Sequence, residues 1–287
     1  MIVSVASGKG GTGKTTVAVN LALLLSEDGT TRVQFIDSDV EEPNAHIFLK
    51  PKIEECESIY IPVPTIDADK CTYCGRCAEV CAYNAIAVLK DKTLVFAQLC
   101  HGCGGCALLC PEGAIREENR EIGLLKRGKA ESIEYVSGTL NIGEAMATPL
   151  IKAIKGKRAP ASVTLVDVPP GTACPVIEAV KGSDFVILVT EPTRFGLHDL
   201  LLAVSVVKQL RIPHGVVINQ AGIGDAGVKE YCEREGIPVL GEIPYDRRIA
   251  VLYSQGIPMI ADGTTYRPIF QRIWESVASI QKESERT

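Results

Sequence analysis

At 287 residues with 46% hydrophobic side chains, the chain is long enough for one large domain or two modest ones and needs no disulfide staples to fold. Its formal charge of −5, from 30 Lys plus Arg against 35 Asp plus Glu, supplies no basic field for a polyphosphate backbone, so nucleic acid is not expected as a partner. No apolar stretch reaches the ~18 residues that span a bilayer, and MIVSVASGKGGTGKTT has neither a basic leader nor an apolar signal core, so a soluble, cytoplasmic protein that keeps off membranes is expected.

In chain order, MIVSVAS reads as a strand, TTVAVNLALLLSEDG as a helix ending at Gly29, and VQFIDSD as the next strand. From about Ile61 to Glu118 the apolar strands give way to cysteine, glycine and short helical turns, which marks an insertion. Residues 121–143 read as two strands returning the chain to the main domain. From Ala159 the first pattern resumes: SVTLVDVPP, DFVILVTEP and GVVIN are apolar strands separated by helical stretches such as HDLLLAVSVVKQL and GVKEYCEREG. Continuous apolar strands alternating with helices predict an α/β fold with a mostly parallel, doubly wound sheet covered on both faces. The expected organisation is a main domain from residues 1–60 and 119–287, with 61–118 as an inserted module. Near the end, Ile269, Phe270, Ile273, Trp274, Val277 and Ile280 fall at helical spacing, as in a helix docked on the core; a membrane-targeting tail is the competing reading.

Gly8-Lys9-Gly10-Gly11-Thr12-Gly13-Lys14-Thr15 fits G-x-x-x-x-G-K-[ST] between a strand and a helix, the context a phosphate-binding loop needs. The glycines let backbone N–H groups turn inward around phosphates, and the helix N-terminus favours negative charge. Gly8, Gly10, Gly11, Thr12, Gly13, Lys14, Thr15 and Thr16 are therefore the expected nucleotide-binding residues. Lys14 is placed on the β- and γ-phosphates and Thr15 on Mg²⁺.

With Lys9 inside this loop, the sequence resembles the MinD/ParA/Mrp group of P-loop ATPases, whose signature is KGGTGKT. The resemblance covers the chain outside the insertion. It implies that Lys9 reaches the nucleotide of an opposing subunit, and hence an ATP-dependent homodimer that hydrolyses ATP with Mg²⁺. By the same resemblance, in FIDSD Asp37 orders the Mg²⁺ shell and Asp39 positions the attacking water, which makes Lys9, Lys14 and Asp39 the implied catalytic residues. In LVDVPPGT, Asp167 closes its strand as a second Mg²⁺ acid and Gly171 senses the γ-phosphate. In VVINQAG and GEIPYD, Asn219 and the loop from Pro244 to Asp246 match the family's adenine site.

Cys71, Cys74, Cys77 and Cys81 form C-x2-C-x2-C-x3-C, and Cys100, Cys103, Cys106 and Cys110 repeat it before Pro111. This spacing presents three thiolates to one cubane while the fourth reaches a neighbouring one. Cys71, Cys74, Cys77 and Cys110 are thus expected to hold one [4Fe-4S] cluster, and Cys100, Cys103, Cys106 and Cys81 a second. Four thiolates around a single zinc ion are the competing reading, but three ligands two residues apart suit a cubane better. Residues 67–118 resemble bacterial two-cluster ferredoxins, including YNAI and EGAI after each run. They depart at Ala82, where proline is usual, and at His101, whose plain reading is a solvent-facing loop residue. For Cys56, Cys174 and Cys232 the plain reading is buried small hydrophobes.

Together these features lead to an ATP-gated electron-transfer protein with an unnamed redox partner. The nitrogenase iron protein shares the P-loop fold, and Cys174 follows Asp167 at the spacing of that protein's bridging-cluster ligand, although a second such ligand has no clear match. An iron-sulfur scaffold or carrier of the Mrp type, delivering clusters to apo-proteins, is the alternative; the C-x2-C such carriers use near the C-terminus is represented here only by Cys232. A MinD-like spatial regulator with a redox sensor is the third.

Overall fold

The computed structural model describes residues 1–284. β1 (Ile2–Ala6) leads through the glycine loop into α1 (Lys14–Ser26) and β2 (Val33–Asp37). Short α2 (Ala45–Leu49) turns the chain into β3 (Lys52–Ile66). Then come α3 (Arg76–Glu79), β4 (Ile86–Val88), β5 (Thr93–Val95), α4 (Gly105–Leu108) and the long β6 (Ile115–Ala130). The rest alternates: β7 (Ile133–Leu140), α5 (Ala147–Gly156), β8 (Val163–Asp167), α6 (Cys174–Val180), β9 (Phe185–Thr190), α7 (Arg194–Gln209) and β10 (His214–Ala221). It closes with α8 (Gly227–Glu235), β11 (Val239–Pro244), α9 (Arg247–Ser254) and α10 (Arg267–Ser284).

Nine strands form one sheet in the order β11-β10-β9-β1-β8-β2-β7-β6-β3. The pairings from β11 to β7 are parallel, and β6 and β3 add two antiparallel strands at one edge. The apolar strands alternate between two cores. Val3, Val5, Phe35, Leu165 and Ile187 face α1 and α10, whereas Ile36, Val166, Val186 and Leu188 face α5, α6 and α7. Each fully buried side chain of this size contributes roughly 1.5–3 kcal/mol of transfer free energy, which is why strands covered on both faces are apolar throughout. In α10, Phe270, Ile273 and Val277 are completely buried, so this helix is docked on the core. No helix of the described residues is long and apolar enough to cross a membrane.

The cysteine segment is carried on a ribbon. β3 and β6 pair from Lys52–Lys129 at the sheet edge out to Ile66–Ile115, and residues 67–114 lie between their far ends. The sequence reading ends the strands at about Ile61 and restarts them at residue 121, so the continuous ribbon differs from it at both boundaries. The inner half of β3, Lys52–Glu57, is exposed and carries Glu54, Glu55 and Glu57, which hides a strand from a reading based on apolar runs. The segment itself is a repeat in three dimensions. α3 and α4 each follow a glycine in the left-handed region, and the pairs Tyr73/Gly102 and Asn84/Gly113 share positive φ at equivalent places.

Candidate functional site

The glycine loop joins the end of β1 to α1. Gly13 sits at φ +94, in the left-handed region, and a Cβ there would lie 2.4 Å from Asn219 Nδ2. Only glycine fits both the turn and the neighbour. Asn219 at the end of β10 donates from Nδ2 to Thr12 O at 2.8 Å, so the loop is braced by the strand that sequence reasoning assigns to the base. The Thr12 hydroxyl is buried without a partner, a donor free for a phosphate oxygen. A cavity of about 490 Å³ opens here, bounded by Gly11, Lys14, Thr15 and Thr16 on one side and by Asn219 and Pro244 on the other. Asp246 also lines it, but its carboxylate is engaged, capping α9 through Arg248 N at 2.8 Å and accepting from Tyr266 Oη at 2.6 Å. Gly8 packs against α7, where a Cβ would run into Asp199 O at 2.1 Å, whereas Gly10 is exposed with open space beside it.

The acids converge because β2 and β8 are neighbours in register, with Asp37 opposite Asp167. Both are fully buried. Asp37 accepts from Asp39 N at 3.3 Å and from Ala45 N, the first residue of α2, at 3.2 Å. Thr15 Oγ1 donates to Asp167 Oδ2 at 2.5 Å, and Asp167 Oδ1 is buried with no partner. Burial, followed by the neighbouring Asp167 charge, pushes the Asp37 carboxyl well above the usual range. Burial likewise raises Asp167 to about 6 although Lys14 and Thr15 pull it down. An orphaned oxygen, a hydroxyl and two crowded carboxylates form an all-oxygen donor set that fits a small hard dication, and Mg²⁺ would supply the charge that lets both acids ionise together.

Two lysines of the loop are held by acids. Lys14 Nζ lies 3.5 Å from Asp39 Oδ2, and Lys9 Nζ lies 2.9 Å from Glu191 Oε2. Burial raises the Asp39 carboxyl while Lys14 lowers it. Glu191, just after β9, was missed in the sequence, although it ends its strand with an acid as Asp37 and Asp167 do; Gln220 Nε2 also donates to it at 3.3 Å. Gly171 N donates to Ser7 O at 3.0 Å, which ties it to the loop's base.

The cysteines gather into two groups of four. One cavity is lined by Cys71, Cys74, Cys77 and Cys110, with Ile66 and Ile115 of the ribbon's last pair on its wall. The other is lined by Cys81, Cys100, Cys103 and Cys106, beside Pro64 and Glu117. Each set thus takes three thiols from one run and one from the other. Cys81 Sγ accepts from Ala85 N at 3.2 Å and Cys110 Sγ from Ala114 N at 3.3 Å, and Gly102 N donates to Cys100 Sγ at 3.4 Å. Burial pushes the Cys77 and Cys106 thiols up, so a thiolate there calls for a bound cation, and four sulfurs around each space fit an iron-sulfur cubane. Among the described residues, no three His, Cys, Asp or Glu side chains close on a point that would hold a single ion. His101 is exposed and stacks on Tyr83, ring centroids 3.3 Å apart. Of the scattered cysteines only Cys232 is buried; Cys56 on the edge strand and Cys174 at the start of α6 are exposed, contrary to the plain expectation for them.

A phosphate-binding loop between the first strand and helix of a large, mostly parallel sheet defines the α/β P-loop nucleotide-binding class. Residues 3–259 match the CobQ/CobB/MinD/ParA nucleotide binding domain, and the chain belongs to that family. An uncharacterised protein of Methanocaldococcus jannaschii is 33% identical over 89% of this chain and 90% of its own length. A Pyrococcus furiosus protein named iron-sulfur cluster carrier protein is 25% identical over 98% of this chain and 86% of its own. The septum site-determining protein MinD of Pyrococcus horikoshii, solved with Mg-ADP, shares the fold with a TM-score of 0.62 at 20% identity, covering 98% of each chain.

Proposed function

We propose that this protein is an Mg²⁺-dependent ATPase that uses ATP to gate electron transfer through two [4Fe-4S] clusters on the β3–β6 ribbon, acting as a homodimer with a separate redox partner. The observation that carries the reading is a contiguous connection from the phosphate site to the ribbon. Asp39, at Lys14, is followed by Val40, whose carbonyl accepts from Leu140 N at 2.8 Å. Asn141 N then donates to Ile122 O of β6 at 2.9 Å, and Glu144 in the same loop pairs with Arg120 of β6.

A nucleotide phosphate taking Lys14 frees the Asp39 carboxylate to orient the attacking water, and the movement passes through Val40 to β7 and β6. Thr15, Asp37 and Asp167 would hold Mg²⁺, which would supply positive charge against the phosphates. Released from Glu191, the part-exposed Lys9 would serve a second copy's nucleotide. Asn219 and the Pro244–Asp246 loop enclose the base. In the ribbon module four cysteines line each cavity and would hold a cluster as a closed set of thiolates, suited to retaining it while electrons pass.

A carrier role is the second reading, favoured by the name of the 25% identical Pyrococcus furiosus relative. Cys232 offers it no labile site: it is 1% exposed, and burial pushes its thiol up to about 11. A delivered cluster would have to leave the ribbon module itself. Anaerobic incubation of the reconstituted protein with an apo-ferredoxin, with and without MgATP, separates the two. Electron transfer predicts that the visible absorbance stays with this chain after re-isolation; its ATP-dependent movement to the acceptor would establish the carrier instead.

A further inference from the structure

A second cavity of about 340 Å³, separate from the nucleotide cavity, lies between α2 and the sheet. Its floor is built by register. Tyr135, Ser137 and Thr139 alternate along β7 onto one face, and Lys126 of β6 pairs with Ser137. His46 and Lys50 line it from α2 and its C-cap. None of the described residues lining it is acidic, and among the described residues the side chains of His46, Lys50 and Lys126 have no ion-pair or hydrogen-bond partner. In a chain of net charge −5, two lysines on a cavity wall that carries no acid, with the buried Asp37 behind its floor, are a directed feature. The Tyr135 hydroxyl is buried beside the Ser137 side chain, its one polar neighbour on the floor, without a hydrogen bond of good geometry, and burial keeps the phenol protonated, hence a donor.

We propose that this cavity binds a small anion, a phosphate- or carboxylate-bearing metabolite, and that its occupancy is coupled to the nucleotide site through α2. The size is at the lower end of small-molecule sites. Lys50 and Lys126 neutralise the anion, His46 borders it, and the hydroxyls of Ser137, Thr139 and Tyr135 donate to its oxygens. Coupling follows from two connections. Ala45 at the start of α2 donates to Asp37, and Ser137 on the cavity floor stands opposite Asp37 in the β2–β7 pair. An anion that draws α2 toward β7 therefore shifts the backbone donor that fixes the Mg²⁺ acid, and linkage requires nucleotide to alter anion affinity by the same factor.

The test is calorimetric titration of the full chain, its phosphate loop first saturated with MgADP, using inorganic phosphate and, separately, succinate. One equivalent of at least one probe is expected to bind, and the preferred probe identifies the anion as phosphate-like or dicarboxylate. The Lys50→Ala/Lys126→Ala double variant is expected to weaken binding at least tenfold, and Tyr135→Phe, which keeps the ring stacked on Phe35, several-fold. In wild type, saturating anion should change the affinity for MgADP at least threefold. Absence of binding by both probes overturns the site. Equal affinity in folded Lys50→Ala/Lys126→Ala protein, checked by its melting temperature, does the same. Binding with unchanged MgADP affinity overturns the coupling.

Discussion

Replacing Asp37 with asparagine is expected to stabilise the nucleotide-free protein while lowering Mg²⁺-dependent ATP hydrolysis by about two orders of magnitude or more. Asp37 and Asp167 face each other at the ends of adjacent strands, both fully buried, with Lys14 the cation that lowers Asp167. Without Mg²⁺ the pair stands as two like charges out of water, and a buried carboxyl in that position prefers its proton. Asparagine keeps the shape and one oxygen to accept from Ala45 N, gives up the longer bond from Asp39 N, and removes the charge, whose burial costs more than that bond contributes.

The pH dependence has a definite sign. Asp167 is raised to about 6 from 3.8, so between these values the folded state keeps a proton that the unfolded chain has released. Its destabilising contribution grows as pH rises through this window and is complete above it, on the order of 3 kcal/mol. Scanning calorimetry without Mg²⁺ should therefore show wild type losing stability from about pH 4 upward, the Asp167 part by about pH 6 and the Asp37 part, raised well above the usual range, continuing beyond it, with Asp37→Asn losing less. At pH 7 the variant should melt a few degrees higher. Mg²⁺ with ADP should stabilise wild type more at pH 7 than at pH 5, and the variant at neither pH by as much. Equal melting of the two proteins at pH 7, with an equal response to Mg²⁺, would remove these acids from the metal site.

The second large effect concerns which cysteines share a cluster. Cys110→Ser is expected to remove the cluster associated with Cys71, Cys74 and Cys77, although Cys110 follows Cys106 in the chain, because the structure places it on that cavity. Iron content should fall from about eight to about four per chain. Cys71→Ser added to it should change little further, since both ligands serve one site, while Cys100→Ser added to it should take the remaining iron. The mirror result is expected for Cys81→Ser. If Cys110→Ser instead spared the Cys71 group and emptied the other, iron analysis and EPR of the double variants would show it, and the crossed assignment would be wrong.

How far this protein could be read from its sequence depends on whether each feature is local in the chain. The phosphate loop was legible because its residues are contiguous and each is needed where it stands, as Gly13 shows against Asn219. The cysteine runs were legible for the same reason, and the exchange of Cys81 and Cys110 followed from the reach of a fourth thiolate. Glu191 was not, because its contact with Lys9 depends on β1 and β9 lying side by side. The inner part of β3 escaped because Glu54, Glu55 and Glu57 on an exposed edge carry none of the burial pattern that marks a strand. The Arg120–Glu144 contact and the α2 cavity belong to the sheet's register, which no run of residues states.

If nucleotide state is read by the clusters, a redox titration followed by EPR will show it. The cavity lined by Cys81, Cys100, Cys103 and Cys106, where one proposed cluster would sit, meets the ribbon at Pro64 and Glu117, nearer the sheet than the Ile66–Ile115 pair beside the other cavity. With MgATP the midpoint of that cluster should move by about 60 mV relative to the nucleotide-free protein, a tenfold change in its one-electron equilibrium. The shift should vanish in Lys14→Ala, whose clusters remain loaded. Superposable titration curves with and without MgATP, in protein shown to bind the nucleotide, would mean that the clusters do not sense it.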